Sequence, residues 1–191
     1  MPEPIETLSV GDLTALIELD PEPPNPRDAD NLGHMVCLHR RYSLGDEHDY
    51  RAEAHSGWAE LEQHILRDHP GAVMLPLYMM DHSGLSVSTS DAMFRAFDSA
   101  GWDWGQIGFV YADAESIRAE YGVRRIGRPL RERVEDVLRA EVAAYDLYLR
   151  GECYAFTVVD GDGEVLNSCG GLLGFDDAVA EGRSAAEALR S

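Results

Sequence analysis

The chain has 191 residues and a net charge of −19 at neutral pH, because 35 acidic side chains face only 16 basic ones. Such a charge repels nucleic-acid backbones and anionic membrane surfaces, so we expect neither as a direct partner. With 45% hydrophobic residues, the chain can still bury a core, which excludes wholesale disorder.

The cysteines and the start of the chain indicate a reducing, cytoplasmic setting. Cys37, Cys153 and Cys169 are odd in number and lack C-x-x-C spacing, which argues against a disulfide framework and against a zinc ribbon. The first twenty residues contain neither a basic start nor a long apolar run, and no stretch of about 18 apolar residues could span a bilayer.

The first part of the chain predicts two strands separated by a loop. The length predicts a single domain over residues 1–191, with a loose N-terminal segment over 1–13. Thr14–Asp20 is the first predicted strand, and it runs into a proline-rich loop over residues 21–30. His34–His39 is the second predicted strand.

The middle of the chain predicts one helix and three strands. Apolar residues recur at helical spacing over Trp58–Asp68, with Ser56 as the candidate N-cap. The apolar run Val73–Met80 has the length of a strand, and its Pro76 implies a sheet edge or a bulge. The other predicted strands are 85–89, in a hairpin with the preceding strand, and 106–111.

The last part predicts three helices and a hairpin. Asp113 caps a helix that ends at Gly122, and Pro129 opens the longest helix, whose apolar stripe ends before Gly151. A hairpin joins 154–159 to 164–167, and a final helix covers about 176–189. Hairpins with interspersed helices indicate an α+β fold with a mostly antiparallel sheet, one long helix and two to three shorter helices.

His34, Cys37 and His39 form an H-x-x-C-x-H cluster of residue types that bind zinc. On a strand, Cys37 and His39 share one face while His34 points to the other, so the cluster supplies at most two ligands. His82 or Cys169 would have to complete a site. A half-buried strand with an inward cysteine is the preferred interpretation, so we expect no metal and no cofactor.

Asp81-His82-Ser83 contains the residue types of a catalytic triad, but places them side by side. A triad forms when separate side chains converge in space, which adjacent residues do not readily supply. Aspartate and serine are also ordinary turn residues. The alternative catalytic site would bring His39, Asp81, His82 and Cys169 together in one pocket.

The glycine-rich segment Ser168–Gly174 leads towards the final helix, where backbone N–H groups could cradle a phosphate. It lacks the P-loop lysine and the spacing of a dinucleotide fingerprint, and Asp176 and Asp177 would repel a phosphate there, so the signal for a phosphate site is weak.

Five arginines gather at the start of the longest predicted helix, where the helix dipole prefers anions. They are Arg124, Arg125, Arg128, Arg131 and Arg133. In so acidic a chain, we expect them to pair with carboxylates of this chain or of a second copy in a homodimer. Binding of an anionic ligand is the alternative.

Four motifs form a recurrent signature over about residues 27–174. They are Asn31-Leu-Gly-His-Met-Val-Cys-Leu-His-Arg-Arg-Tyr-Ser-Leu-Gly-Asp46, Pro76-Leu-Tyr-Met-Met-Asp-His-Ser-Gly84, Gly105-Gln-Ile-Gly-Phe-Val-Tyr111 and Tyr145-Asp-Leu-Tyr-Leu-Arg-Gly-Glu152. Together they resemble a family of uncharacterised proteins carried by bacteriophages and other mobile elements. Relatives are expected to have Pro-Trp-Asp-Ser before the Gly-Gln pair, where this chain has Ala100-Gly-Trp-Asp-Trp-Gly105, so that loop is expected to be reshaped. The resemblance implies a mobile-element origin and brings no catalytic residues.

From the charge and this implied origin, we expect a non-enzymatic protein that binds and inhibits a host protein or protein complex in the host cytoplasm. A restriction or CRISPR-type defence complex is the expected kind of target, because a rigid acidic domain can occupy a groove built for phosphates. The expected binding face lies in the acidic front half, at Asp28, Asp30, Asp46, Glu47 and Asp49.

Three other interpretations stay open. The acidity could serve solubility alone. The protein could be a small hydrolase or ligand-binding protein that uses the His34/Cys37/His39 and Asp81/His82/Ser83 segments. It could also be a structural or regulatory component of a phage.

Overall fold

The computed structural model describes residues 4–190. The chain divides into two compact units. The terminal unit comprises Met1–Asn25 and Leu147–Ser191, and the central unit comprises Pro26–Asp146. The single domain predicted over residues 1–191 remains a prediction, because a division into compact units does not by itself define separate domains.

The described residues form eight strands and five α-helices. The strands are β1 (Glu6–Val10), β2 (Leu13–Leu19), β3 (His34–Cys37), β4 (Val73–Asp81), β5 (Leu85–Ser88), β6 (Trp104–Ala112), β7 (Cys153–Val159) and β8 (Val165–Leu173). The helices are α1 (Trp58–Asp68), α2 (Ala92–Phe97), α3 (Ala114–Tyr121), α4 (Arg128–Leu149) and α5 (Phe175–Ala188). Single 3₁₀ turns occur at Pro26–Asp28 and Ala52–Ala54. All strand pairs are antiparallel, so the fold is α+β, as the sequence predicts.

The terminal unit is a four-stranded sheet with one helix. Its strand order is β1-β2-β7-β8, and α5 packs against all four strands. Alternation along β2 turns Leu13, Ala15 and Ile17 into the core beneath this helix. Helix α5 can approach the sheet closely because Gly182 has no Cβ. A Cβ at this position would lie only 2.9 Å from Ile17 Cδ1.

The central unit has a second four-stranded sheet, in the order β3-β6-β4-β5. Strand β6 is buried over Ile107–Ala112, as expected for an inner strand covered on both faces. On one face its side chains join α1 in a cluster of Val36, Leu61, Ile65, Ala72, Phe109 and Tyr111. On the other face, Val110 and Leu138 of α4 both lie against Gly33.

Gly108 allows β3 and β6 to come together. It pairs with Cys37, and a Cβ at this position would overlap the Val36 carbonyl. This close approach places the end of β3, and the polar loop that follows it, beside the start of β6.

Several predicted boundaries and caps are confirmed. Asp113 caps α3 by accepting from the N–H groups of Glu115 (2.8 Å) and Ser116 (2.9 Å), and Gly122 ends the helix at a φ of 63°. Pro76 lies just before an irregularity in the β4–β6 register, between Leu77 and Tyr78, and outside the part of β4 that pairs with β5.

Other details differ from the prediction. Helix α1 has Gly57, not Ser56, at its N-cap, and Ser56 instead donates through its N–H and hydroxyl groups to Glu60. Strand β3 ends at Cys37, so His39 lies beyond it and the expected sharing of a strand face does not apply. The second strand of the last hairpin, predicted over 164–167, extends to Leu173 as β8 and so includes most of the glycine-rich segment. The sequence does not predict β1, which falls within 1–13, or α2.

Candidate functional site

A buried arginine–aspartate pair joins two loops of the central unit. Arg27 donates from Nε to Asp46 Oδ1 (2.9 Å) and from Nη2 to Asp46 Oδ2 (2.7 Å). The same Nη2 donates to the Gly33 carbonyl (2.6 Å), and the Arg27 side chain is only 3% exposed. Two parallel bonds fix the orientation of both groups as well as their distance.

Backbone groups and helix α4 complete the surroundings of this pair. Asp46 Oδ2 accepts from the Met35 N–H group (2.7 Å). Glu141 of α4 accepts from the N–H groups of Leu32 (2.8 Å) and Gly33 (3.0 Å). Arg27 Nη1 lies 3.6 Å from Glu141 Oε2, so Arg27 faces two carboxylates.

The two carboxylates respond differently to this environment. Burial would raise the pKa of Asp46, but hydrogen bonds from Arg27 and the Met35 N–H group outweigh it and hold that pKa below its ordinary value. For Glu141 burial prevails and raises the pKa, although two N–H groups and Arg27 oppose it. Asp46 is therefore the carboxylate that stays firmly ionised opposite Arg27.

Four of the five acidic residues singled out in the sequence flank this pair. Asp28 and Asp30 lie on the segment that follows Arg27, and Glu47 and Asp49 follow Asp46. All four are exposed, and within residues 4–190 none of the four forms an ion pair. Asp46 differs, because its side chain is only 15% exposed and is bound by Arg27. We call residues 26–33 and 45–49 the acidic double loop.

A cleft of about 600 Å³ opens elsewhere on the central unit. Its lining residues are Leu38, His39, Arg40, Arg41, Met79, Asp81, Trp102, Asp103, Trp104, Gly105, Gln106 and Ile107. Asp81 accepts hydrogen bonds from Arg41 and from the Tyr42 hydroxyl (3.1 Å), and the His39 ring stacks on Tyr42. We call this the Trp102 cleft.

The loop that carries Trp102 is organised by one carboxylate. Asp98 accepts from four successive backbone N–H groups, those of residues 100–103, at 3.0, 3.1, 2.6 and 3.0 Å. These bonds, the one from Asp103 first among them, lower the pKa of Asp98. Trp104 Nε1 donates to the Asp98 carbonyl (2.7 Å), so the loop is fixed from both sides while Trp102 itself is 87% exposed.

Asp81, His82 and Ser83 do not form a triad with one another. His82 Nδ1 lies 2.9 Å from Asp103 Oδ2, whereas Asp81 is held by Arg41. Ser83 occupies the hairpin turn with a φ of 59°. His39 and Asp81 therefore both line the Trp102 cleft. His82 is not one of the lining residues, but it contacts the lining residue Asp103.

The H-x-x-C-x-H cluster does not converge on a metal. Within residues 4–190, no three His, Cys, Asp or Glu side chains are placed so that they could hold a metal ion. His34 packs edge-on against Tyr111, and burial lowers its pKa. Burial also raises the pKa of the Cys37 thiol to about 12, which keeps it protonated and unsuited to attack a substrate.

Cys169, the cysteine of the alternative catalytic site, belongs to the terminal unit. Cys169 lies on β8, is exposed, and donates weakly to the Gly170 carbonyl (3.5 Å). The glycine-rich strand around it is held by Asp20, which accepts from the Gly171 N–H group (2.7 Å).

The arginines near the start of α4 have different roles. Arg131 donates to the carbonyls of Gly71 (3.2 Å) and Ala72 (3.3 Å). Arg128 pairs with Glu132, and Arg133 lies over the Tyr121 ring. Arg124 and Arg125 are exposed, with no ion pair among the described residues.

The sequence reasoning missed a group of histidines beside α1. His55 Nε2 lies 2.8 Å from His64 Nδ1, and His64 Nε2 lies 3.5 Å from Asp68 Oδ2. The i, i+4 spacing of His64 and Asp68 on a predicted helix could have indicated their contact. His55 lies outside that helix, so no local pattern pointed to it.

Comparisons with protein-family models, with curated proteins and with solved structures found no match for this chain. None of the helices within residues 4–190 has the length and apolar character needed to cross a lipid bilayer.

Proposed function

We propose that this protein is a non-catalytic inhibitor that binds a host protein through the acidic double loop. The observation that carries the proposal is that exposed carboxylates lie on two segments that a buried ion pair joins. Asp28, Asp30, Glu47 and Asp49 are exposed without ion pairs among the described residues, on two segments joined by Arg27 and Asp46. Because the two segments are already joined, their backbone loses little conformational freedom on binding.

The partner that fits such a surface is a protein with a basic groove that normally receives nucleic-acid phosphates. Carboxylates in fixed positions attract arginine and lysine side chains, and the net charge of −19 steers the encounter. The same proposal includes a mobile-element origin, a cytoplasmic setting in the host, and a restriction or CRISPR-type defence complex as the target.

The test compares two variants with the same change in net charge. One carries Asp28→Asn, Asp30→Asn, Glu47→Gln and Asp49→Asn. Its control neutralises four exposed acids of the terminal unit, through Asp162→Asn, Glu164→Gln, Asp176→Asn and Asp177→Asn. The readouts are capture of the target from host lysate and inhibition of that target's binding to nucleic acid.

We expect the double-loop variant to lose both activities and the control to keep them, with the wild-type interaction weakening as salt increases. An equal loss in both variants would show that the total charge matters and the double loop does not. Undiminished inhibition by the double-loop variant would contradict the proposal outright.

A hydrolytic or ligand-binding role for the Trp102 cleft is the second candidate. It is favoured by the 2.9 Å contact between His82 Nδ1 and Asp103 Oδ2, which leaves His82 Nε2 to act as a base. Hydrolysis of p-nitrophenyl esters and phosphates by the wild type, abolished by His82→Ala, would support it, whereas equal rates for the two proteins would exclude it for these substrates.

A further inference from the structure

The three most exposed large apolar side chains of the described chain come from one short segment. Trp102 is 87% exposed, Met93 66% and Phe97 63%, and all three come from α2 and the loop that follows it. Exposed aromatic residues on a fixed loop are typical anchors of protein interfaces, because they bury a large area at a small cost in conformational entropy.

The loop is fixed before any partner arrives. The four N–H groups bound by Asp98 and the bond from Trp104 Nε1 to its carbonyl hold the backbone on both sides of Trp102. A side chain presented in this way adds little ordering cost when it becomes buried.

A recess of suitable chemistry lies beside this aromatic side chain. Trp102 is one of the residues that line the cleft, whose apolar lining also includes Leu38, Met79, Trp104 and Ile107. An exposed indole and a cleft with both polar and apolar lining on one surface allow self-association. A two-fold axis between them would place each Trp102 in the cleft of the other copy, which is the isologous arrangement of most homodimers.

The charges of the cleft favour a second copy over a basic partner. In a chain of net charge −19, this lining carries two arginines and two aspartates, Arg40 and Arg41 with Asp81 and Asp103, and is therefore locally balanced. Within one copy Asp81 is bound by Arg41 and Asp103 lies against His82. Two copies can therefore meet at this lining without bringing partnerless carboxylates against one another.

We infer that the Trp102 cleft is a homodimer interface in which each Trp102 enters the cleft of the second copy. The lining of the cleft shares no residue with the acidic double loop, and the dimer does not depend on the proposed inhibition. Because the rest of the chain is strongly acidic, salt screens the repulsion between copies and strengthens the dimer. Binding of the double loop to a basic partner should weaken with salt, so the two interactions respond in opposite directions.

The experiment is sedimentation velocity over a concentration series of purified protein at low and at high salt. We expect a reversible dimer whose dissociation constant falls as salt increases. Trp102→Ala should raise that constant by about 30-fold or more, the effect of removing an interface anchor. Its matched control is Leu166→Ala, which shortens another exposed apolar side chain, in the terminal unit, and should leave the constant unchanged.

Two further readouts test whether the dimer forms through the Trp102 cleft. Dimerisation should shift the tryptophan emission of the wild type to shorter wavelength, and this shift should vanish in Trp102→Ala. The variant with four neutralised acids in the double loop should still dimerise. A wild type that is monomeric throughout both series, or a Trp102→Ala variant that dimerises like the wild type, would overturn the inference. Since Trp102 is exposed, circular dichroism of the variant should match that of the wild type.

Discussion

The acidic double loop and the loop of Trp102 are each organised by one aspartate, in two different ways. Asp46 binds a guanidinium that lies 19 residues away in sequence and is almost wholly buried. Asp98 binds only the backbone of the residues that immediately follow it. The first arrangement holds distant segments together and contributes to global stability, whereas the second shapes one short loop and matters for what that loop presents.

The largest effect should come from Arg27→Ala. It leaves Asp46 and Glu141 partly buried without their cation, which typically costs about 3–5 kcal/mol in the free energy of unfolding. Arg139→Ala is the control, because the exposed pairs of Arg139 with Glu135 and Asp136 should contribute no more than about 1 kcal/mol. Urea denaturation measures both changes, and equal effects would show that the Arg27 pair has no special role.

The next largest effect should be the pH-dependent contribution of Asp46 to the free energy of unfolding. Its pKa in the folded state lies below the ordinary value of 3.8, so its contribution is present above that value and is lost as the pH falls through the lower, folded pKa. The raised pKa of Glu141 acts in the opposite sense. The difference in unfolding free energy between wild type and Asp46→Asn should therefore shrink below about pH 4, and a difference independent of pH would rule out this linkage.

Replacing Asp98 should separate loop order from stability. We expect Asp98→Ala to weaken dimerisation while changing the melting temperature little, because the four N–H groups that it releases can reach water. Asp113→Ala is the matched control, since it removes another carboxylate that accepts backbone N–H groups. It should cost about 1 kcal/mol of stability as a lost N-cap and leave dimerisation unchanged. Calorimetry measures the change in stability and sedimentation velocity the change in dimerisation. A large loss of stability in Asp98→Ala with unchanged dimerisation would contradict this expectation.

The smallest effect on stability should come from the displayed acids. Neutralising Asp28, Asp30, Glu47 and Asp49 should change the unfolding free energy by no more than about 0.5 kcal/mol per site, because these side chains make no ion pair among the described residues. A larger destabilisation in urea would place them among the supporting residues of the loop instead.

The sequence predicted most of the elements because their signals are local. The apolar stripe of α4, the Asp113 cap and the glycine at residue 122 each depend on residues within a few positions of one another. By contrast, β1 lacks a distinctive pattern, and α2 is only six residues long. Both depend on packing that no short window contains.

The site was less predictable for the same reason. The sequence singled out Asp46 for its charge, but nothing local showed that Arg27 would bind it from 19 residues away. His82 stood beside Asp81, yet its partner is Asp103, at the far end of another loop. Trp102 drew attention only as part of a reshaped loop, and its exposure follows from how Asp98 folds that loop.

The contact between Arg27 and Glu141 has a consequence for the order of folding. Strands β2 and β7, which pair at the centre of the terminal sheet, are separated in sequence by the whole central unit. Closing so long a loop in an unfolded chain is entropically costly and slow. Once the central unit has folded, Arg27 near its start lies 3.6 Å from Glu141 near its end. The chain that remains to be closed is then effectively shorter, so we expect prior folding of the central unit to lower the entropic cost of pairing β2 with β7.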